Sequence, residues 1–502
     1  MNKALLAQLC MFIIGFLFAN LNKQTFAPIF RALIALPIGW ALFGICATII
    51  YSVYFSAASQ LVLLVALALS TLALLFANIM QRSLSRDSIF LGGVGLVVLT
   101  ACCFFFNSLR IVTILGPDSS YLARFGQNIG LGNYEGSRMI FSKWGPLVPF
   151  MHSITNLLEQ KLYWQYQPIL SLNLVAIVFY TMYTIIREQK SILQSFVTAT
   201  VLISLMTLSN IFVFHFFYIH TMIISALYIY LFVFALAKMQ QQPGTAYELL
   251  ALLSLIAFSL VRIEAPLFVI VIFLVSTFGR GWSYVNRLKL IVPFVVFFVA
   301  WYARVYFILP EVPDNLTREF AIAVILVLVG FGLFAVVSGL KVLDPIVKRT
   351  PFLTVIGLLL VSIVFTIIKP EHMLTSLVSI VVSISLSGNW GLTWYVIFFL
   401  AIELYFVRRD AAEHRWLFMI LVSFVLVVYD LAYFREPYHT QEFDSANRLM
   451  LVALPLVLLY LSLRFAQISF SENSQSSQQM GDRNSSISIS QPDSALRHTA
   501  LS

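Results

Sequence analysis

Residues 57–78 read AASQLVLLVALALSTLALLFAN, a continuous apolar stretch without a charged side chain. About 20 apolar residues in an α-helix cross the roughly 30 Å hydrocarbon core of a bilayer. Lipid offers no hydrogen-bond partners to the backbone, so a segment that crosses it must satisfy its polar groups internally, as a helix does. The stretch therefore predicts a transmembrane helix.

Equivalent apolar runs recur along almost the whole chain. They lie near 4–21, 32–54, 57–78, 89–106, 166–186, 192–209, 221–237, 290–308, 321–340, 351–368, 390–407, 416–433 and 448–465. The stretch 249–278 is long enough for two short helices interrupted by a charged and proline-containing break at 262–266. These runs predict an all-α, polytopic transmembrane bundle of about 13–15 helices.

The composition supports the same class of protein. Of 502 residues, 60% are hydrophobic and 11% are charged, and the mean hydropathy is +0.91. Soluble globular domains carry about 25% charged residues, so that class is excluded. The net charge of +9 is not concentrated in a basic run with interleaved aromatics, which argues against a nucleic-acid partner. The expected partner is the lipid bilayer.

The basic residues that flank the apolar runs predict an orientation, because Lys and Arg in short loops are held on the cytoplasmic side. If the loop 81–88 is cytoplasmic, most of the other basic flanks fall on the same side. The long segments 107–165, 309–320, 369–389 and 434–447 then lie outside. The chain is thus expected in the plasma membrane, or inner membrane, of a cell envelope, with an active face that is extracytoplasmic.

Two regions differ in composition. Residues 1–465 form the predicted transmembrane domain, with 107–165 as a large extracytoplasmic loop, and loops of that length are usually functional. Residues 466–502 are rich in Ser and Gln with few aromatics, which predicts a disordered cytoplasmic tail. The four cysteines all lie in apolar runs, so no disulfide framework or zinc site is expected.

The outer segment opens at 116–125 with GPDSSYLARF. Asp118 follows a Gly-Pro turn signal and precedes a stretch in which Tyr121, Leu122 and Phe125 share one helical face. Asp118 therefore stands where a helix N-cap is expected. Capping is one interpretation of this carboxylate, and catalysis is the other.

Arg262 and Glu264 interrupt an apolar stretch at the predicted outer face. Charged residues at membrane depth are costly and indicate a functional site, although the two could simply form an ion pair near a helix end.

The last outer segment, 435–448, reads REPYHTQEFDSANR and precedes an apolar helix that contains Pro455. Arg448 could contact a substrate or anchor the helix at the interface. His439 could transfer protons or be a polar loop residue. In another outer turn, His215 and His220 are five residues apart rather than four, which favours an interfacial aromatic belt over a metal site.

These features together resemble the C-type (GT-C) membrane glycosyltransferases, among them the protein O-mannosyltransferases and the aminoarabinose transferases of lipid A. The likeness consists of an acid shortly after a membrane helix, a short helix, and the Trp-Gly-Pro-Leu-x-Pro sequence at 144–149. Arg262-x-Glu264 looks like the Arg-Pro-Glu break of many members, and Arg448 matches an arginine before their proline-containing helix. The resemblance implies transfer of a sugar from a polyprenyl-phosphate donor to a glycan, lipid or protein acceptor.

The resemblance also implies roles for individual residues. Asp118 would be the general base or a metal ligand, with a divalent metal ion as a candidate cofactor. The donor phosphate would be bound by Arg262, Arg448 and Arg435, and Glu264 would support the site. The acceptor would meet Tyr121, Glu135, Lys143, Trp144 and His439.

The chain departs from the family pattern at two places. Many members carry a second acid next to the first, whereas Asp118 is followed by Ser119 and Ser120. His220 stands where family members often have an acid.

Other classes of membrane protein remain open. An O-antigen-type polymerase or ligase uses the same lipid carriers, but its large outer loop comes late in the chain rather than early. A transporter or lipid flippase needs a polar path at the midplane, and midplane polar residues are sparse here. A non-catalytic scaffold is a further alternative.

Overall fold

A computed structural model describes most of the chain. The described residues are 3–53, 57–108, 117–130, 145–159, 166–218, 220–241, 244–278, 282–304, 318–407, 415–434, 437–440 and 445–485.

These residues form an all-helical protein, which confirms the predicted class. The helices are α1 (Lys3–Leu21), α2 (Pro28–Val53), α3 (Ala57–Met80), α4 (Arg86–Ser108), α5 (Pro117–Gly130), α6 (Leu147–Glu159), α7 (Tyr166–Arg187), α8 (Ile192–Thr207), α9 (Asn210–Phe217), α10 (Thr221–Gln241), α11 (Thr245–Val261), α12 (Ala265–Ser276), α13 (Tyr284–Ala303), α14 (Arg318–Val337), α15 (Asp344–Ile368), α16 (Pro370–Val382), α17 (Thr393–Val407), α18 (Arg415–Leu431) and α19 (Ser445–Ser485).

Ten helices within the described ranges are long and apolar enough to cross a membrane, and α8 with α9 adds an eleventh candidate that bends by 74°. The chain is thus a multi-pass membrane protein. Five further apolar helical stretches of 10–17 described residues account for predicted runs beyond these ten. These stretches are Leu5–Leu21, Thr245–Val261, Ala265–Ser276, Ile322–Val337 and Thr393–Ile402.

The helices α10 and α19 lie at the centre of the bundle, where nearly nine-tenths of each apolar span is buried. The helices α3, α4 and α15 lie at its periphery, with large apolar side chains exposed. Exposed apolar surface of this extent is what a lipid-facing helix requires.

One end of the bundle, here called the basic end, carries the turns after α1, α3, α7 and α10. Lys23 donates from Nζ to the carbonyl of Arg82 (2.8 Å). Lys238 pairs with Glu188 (3.5 Å), and the Phe26 and Tyr247 rings meet at 5.2 Å. Lys23, Arg82 and Lys238, which flank spans, therefore lie at one end, as the orientation argument expects.

The opposite end, here called the site end, carries α5, α6, α9 and α16. Helices α5 and α6 belong to the predicted outer segment, and they pack so closely that a Cβ on Gly126 would lie 2.2 Å from Cβ of His152. They sit on the ends of α2 and α3, where Phe150 stacks on Tyr51 (5.0 Å) and Gln60 donates to the Ile129 carbonyl (3.1 Å). The predicted helix after Asp118 is confirmed.

The segment 369–389, predicted as an outer loop, is instead mostly helical: α16 continues into a π-helical turn at Ser383–Ser387. His372 donates to the Ala432 carbonyl near the end of α18 (2.8 Å), and Asn447 in α19 donates to Gly388 (3.1 Å). Because α18 ends and α19 begins at the site end, α16 lies across that end. Two serines in α16 and three in the π-helical turn lower the apolar signal of this segment and hid the helix.

The apolar span of α19 is Ser445–Ala466, while its backbone remains helical to Ser485. The predicted boundary at 465 thus falls inside this helix, and residues 486–502 lie outside the described residues.

Candidate functional site

A break between α11 and α12 carries the two charged residues that the sequence singled out. Arg262 is extended (φ −142°, ψ 146°), and Glu264 precedes α12 with Pro266 in its first turn. Nη2 of Arg262 forms an ion pair with Oε1 of Glu264, and both side chains are buried. The ion pair that the sequence allowed is therefore present, and Arg262 also donates to Sδ of Met222 (3.3 Å).

Two contacts hold the unwound backbone of this break. Tyr302 donates its hydroxyl to the Ile263 carbonyl (2.6 Å), and the amide of Gly145 donates to the Val261 carbonyl (3.0 Å). A Cβ on Gly145 would lie only 2.0 Å from the Leu260 carbonyl oxygen. The glycine of the Trp-Gly-Pro sequence thus allows the first outer segment to touch the charged break.

A second charged contact lies where α19 begins. Nη1 of Arg448 lies 3.1 Å from Nε2 of His220. Because a guanidinium only donates, Nε2 must accept, so the imidazole is neutral and carries its proton on Nδ1. Nδ1 faces Oγ1 of Thr221 at 3.4 Å, an acceptor that suits this tautomer.

Aromatic rings enclose this histidine. Tyr218 stacks on His220 at 5.3 Å with an interplanar angle of 8°, and the His215 ring meets His220 edge-on at 6.3 Å. His215 and His220 are both buried, so the prediction that they form an interfacial belt is wrong. The kink between α8 and α9 turns them toward the bundle rather than toward lipid.

The first turn of α19 is fixed by a neighbouring loop. Trp390 donates from Nε1 to Oδ1 of Asn447. Asn389, with φ +56°, accepts a bond from the Ile211 amide (3.2 Å). Asn389 tolerates the left-handed conformation better than most residues. The Gly-Asn-Trp-Gly sequence at 388–391 is typical of a turn. Because it overlaps the start of the predicted apolar run 390–407, the sequence pattern assigns it to a membrane span rather than to the site.

The contacts of Arg262 and of Arg448 meet at the start of α10. Arg448 contacts His220, and Arg262 contacts Met222 two residues later. Ser225 of α10 and Leu449 of α19 line a cavity of about 10 Å³ beside Arg262 and Glu264, which is enough for about one water molecule. The structure therefore brings together Arg262, Glu264 and Arg448.

The structure describes the other predicted site residues only in part. Asp118 is in the first turn of α5, which begins at Pro117, and its side chain lies outside the described residues. Tyr121 is half exposed and packs on Phe125 (6.2 Å), and His439 is exposed on the last outer segment. The remaining calls fall outside the described residues: Glu135, Lys143, Trp144 and Arg435.

His152 of α6 is buried beneath α5 at the site end. Burial in an apolar environment lowers its pKa to about 3. It is therefore neutral at physiological pH and packs as part of the interface between the two outer helices.

No group of three or more His, Cys, Asp or Glu side chains that could hold a metal ion occurs within the described parts of the chain. The resemblance assigns the divalent ion to Asp118, whose side chain is not described.

No protein-family model, no curated protein and no solved structure matches this chain.

Proposed function

We propose that this chain is a membrane glycosyltransferase that moves a sugar from a polyprenyl-phosphate donor to an acceptor at the site end. The observation that carries the proposal is the convergence of Arg262 and Arg448 on the first turn of α10, beside helices long enough to cross a bilayer. Cationic groups at this depth suit a lipid-linked phosphate, whose apolar chain remains in the membrane.

Arg448 is the better placed of the two arginines to contact the phosphate. Its Nη1 is held by a neutral imidazole, and its side chain is only half buried. A guanidinium binds two phosphate oxygens at once and stabilises the charge that develops as the sugar departs.

Arg262 has a supporting role in this proposal. Its pairing with Glu264 and its contact with Met222 hold the break between α11 and α12 in shape. Its positive charge lies beside the reacting phosphate, while its pairing avoids the cost of an isolated buried charge.

Asp118 is the proposed base. A glycosyl transfer requires a carboxylate to take the proton of the acceptor as its oxygen attacks the anomeric carbon. The outer segment reaches the charged break through Gly145, which supports placing its acid near the arginines. The acceptor is a glycan, lipid or protein that approaches from the water side.

The proposal is tested by presenting membranes that contain the full chain with radiolabelled polyprenyl-phosphate sugars that differ in sugar and chain length. Transfer of label to material that is not the donor lipid, absent from membranes without the chain, is the expected result. Absence of transfer with every donor, while the protein is correctly folded, would direct attention to a transport function.

A further inference from the structure

A second polar cluster lies at the basic end, far from the site described above. Asn20, in the last turn of α1, donates to Oδ1 of Asn78 (3.0 Å) and to the Ser83 carbonyl (3.0 Å). Arg31, near the start of α2, donates from Nη1 to Oδ1 of Asn20 and to Oγ of Ser88 (3.3 Å). The cluster thus joins the ends of α1 to α4.

Arg31 is a buried cation whose hydrogen-bond partners are neutral. Its relative exposure is 6%, and none of the ion pairs recorded between described residues includes it. The Nε atom of Arg31 has no hydrogen-bond partner within the described ranges. Both hydrogen bonds that Arg31 donates leave from Nη1. Nη2 of Arg31 is therefore left without a protein partner in this part of the chain, while Nε is enclosed by the surrounding atoms.

Nη2 has the chemistry of an anion-binding group. Its N–H groups carry part of the arginine charge and donate strong hydrogen bonds to phosphate oxygens. A buried charge without a counter-charge is unfavourable unless an anion accompanies it. The amino-terminal end of α4 adds a positive helix dipole, and Ser85 accepts from the Ser88 amide there (3.2 Å).

An apolar groove begins one turn deeper in the membrane. Its volume is about 360 Å³, and its walls include Phe12 of α1, Leu33 of α2, Leu91 and Val98 of α4 and Leu172 of α7. Leu91 lies one helical turn beyond Ser88. The amide of Asn173, a polar group in the lining, donates to the Leu33 carbonyl (2.9 Å). The groove therefore suits a hydrocarbon chain rather than a polar ligand.

We infer that Arg31 and the groove together bind one anionic glycerophospholipid, with the phosphate on Nη2 of Arg31 and an acyl chain between α2, α4 and α7. The phosphate position lies at the basic end, and the acyl-chain position lies deeper in the membrane. A lipid in the leaflet at that end places its headgroup and its chain in the same order. Basic pockets between transmembrane helices are known to select acidic lipids. The site is at the opposite end from the proposed donor site and does not depend on that proposal.

The test is native mass spectrometry of the full chain in detergent with phosphatidylglycerol or phosphatidylcholine of identical acyl chains. Preferential retention of phosphatidylglycerol by about 10-fold or more is expected, since hydrogen bonds to charged groups are among the strongest. Arg31→Gln should remove the preference. Lys348→Gln, which removes an exposed lysine at the same end, should keep it.

A second variant separates a lipid from a free phosphate. Ala176→Phe places a ring in the groove without touching Arg31, and it should weaken phosphatidylglycerol binding, while millimolar inorganic phosphate should not displace the lipid. Equal retention of the two lipids by the wild type would overturn the inference. So would displacement by inorganic phosphate together with unchanged binding in Ala176→Phe, a result that remains decisive if Arg31→Gln does not fold.

Discussion

The guanidinium of Arg448 donates a 3.1 Å hydrogen bond to Nε2 of His220, joining two residues that are 228 positions apart. The bond fixes the first turn of α19 against the start of α10. A neutral imidazole orients the arginine without neutralising it, so the arginine retains its full charge toward a phosphate.

Arg448→Lys is expected to lower sugar transfer by about 10- to 100-fold, because a lysine cannot make the bidentate contact with phosphate. His220→Gln should keep most of the activity, since its amide oxygen still accepts a bond, whereas His220→Leu should not. Initial rates at matched expression measure these effects. Arg415→Lys at the basic end is the control, and equal loss in that variant would show that the effect is not local.

Glu264→Gln is expected to destabilise the protein by about 3–5 kcal/mol, because it leaves the buried charge of Arg262 without its partner. Thermal unfolding in detergent measures the change. The double variant Arg262→Met, Glu264→Leu should recover much of the stability, since it removes both charges at once. A single variant as stable as the wild type would mean that the pair contributes nothing.

Gly145→Ala is expected to displace the first outer segment from the break. Its Cβ would lie 2.0 Å from a backbone oxygen that cannot move aside cheaply. Lower thermal stability and faster proteolysis between α4 and α7 are the expected readouts. Gly244→Ala is a matched control, because a Cβ there meets nothing within 4 Å. Identical behaviour of the two variants would refute the close contact.

Acidification is expected to loosen the packing of α5 on α6. The folded-state pKa of His152, about 3, lies below the unfolded value of about 6.5. The unfolded chain therefore takes up the proton first. The contribution of His152 to stability is complete above about pH 6.5 and is lost progressively as the pH falls toward about 3.

Unfolding in detergent between pH 4.5 and 7.5 measures this dependence. His152→Gln should flatten the pH profile, because glutamine does not titrate in that range. A variant with the same slope as the wild type would assign the dependence to other groups.

The membrane class was predictable from the sequence because it rests on a local property. The apolar run 57–78 indicates a helix wherever it packs, and α3 occupies it. The helix at 370–382 was missed because its serines interrupt the apolar signal.

The candidate site was predictable only in part. Arg262 and Glu264 stand out because charge is costly at that depth, and Arg448 stands out before an apolar helix. The partner of Arg448 is fixed by how α10 and α19 pack, which no local pattern encodes. His220 was therefore assigned to an aromatic belt, although its ring is buried against an arginine.

The most direct test of the proposed activity is sugar transfer from a polyprenyl-phosphate donor by the wild type and by Asp118→Asn at matched expression. Asp344→Asn, which changes an acid in the first turn of α15 at the basic end, is the control. The proposal predicts transfer by the wild type and the control and a loss of at least about 100-fold in Asp118→Asn. Transfer at the wild-type rate in Asp118→Asn would contradict it.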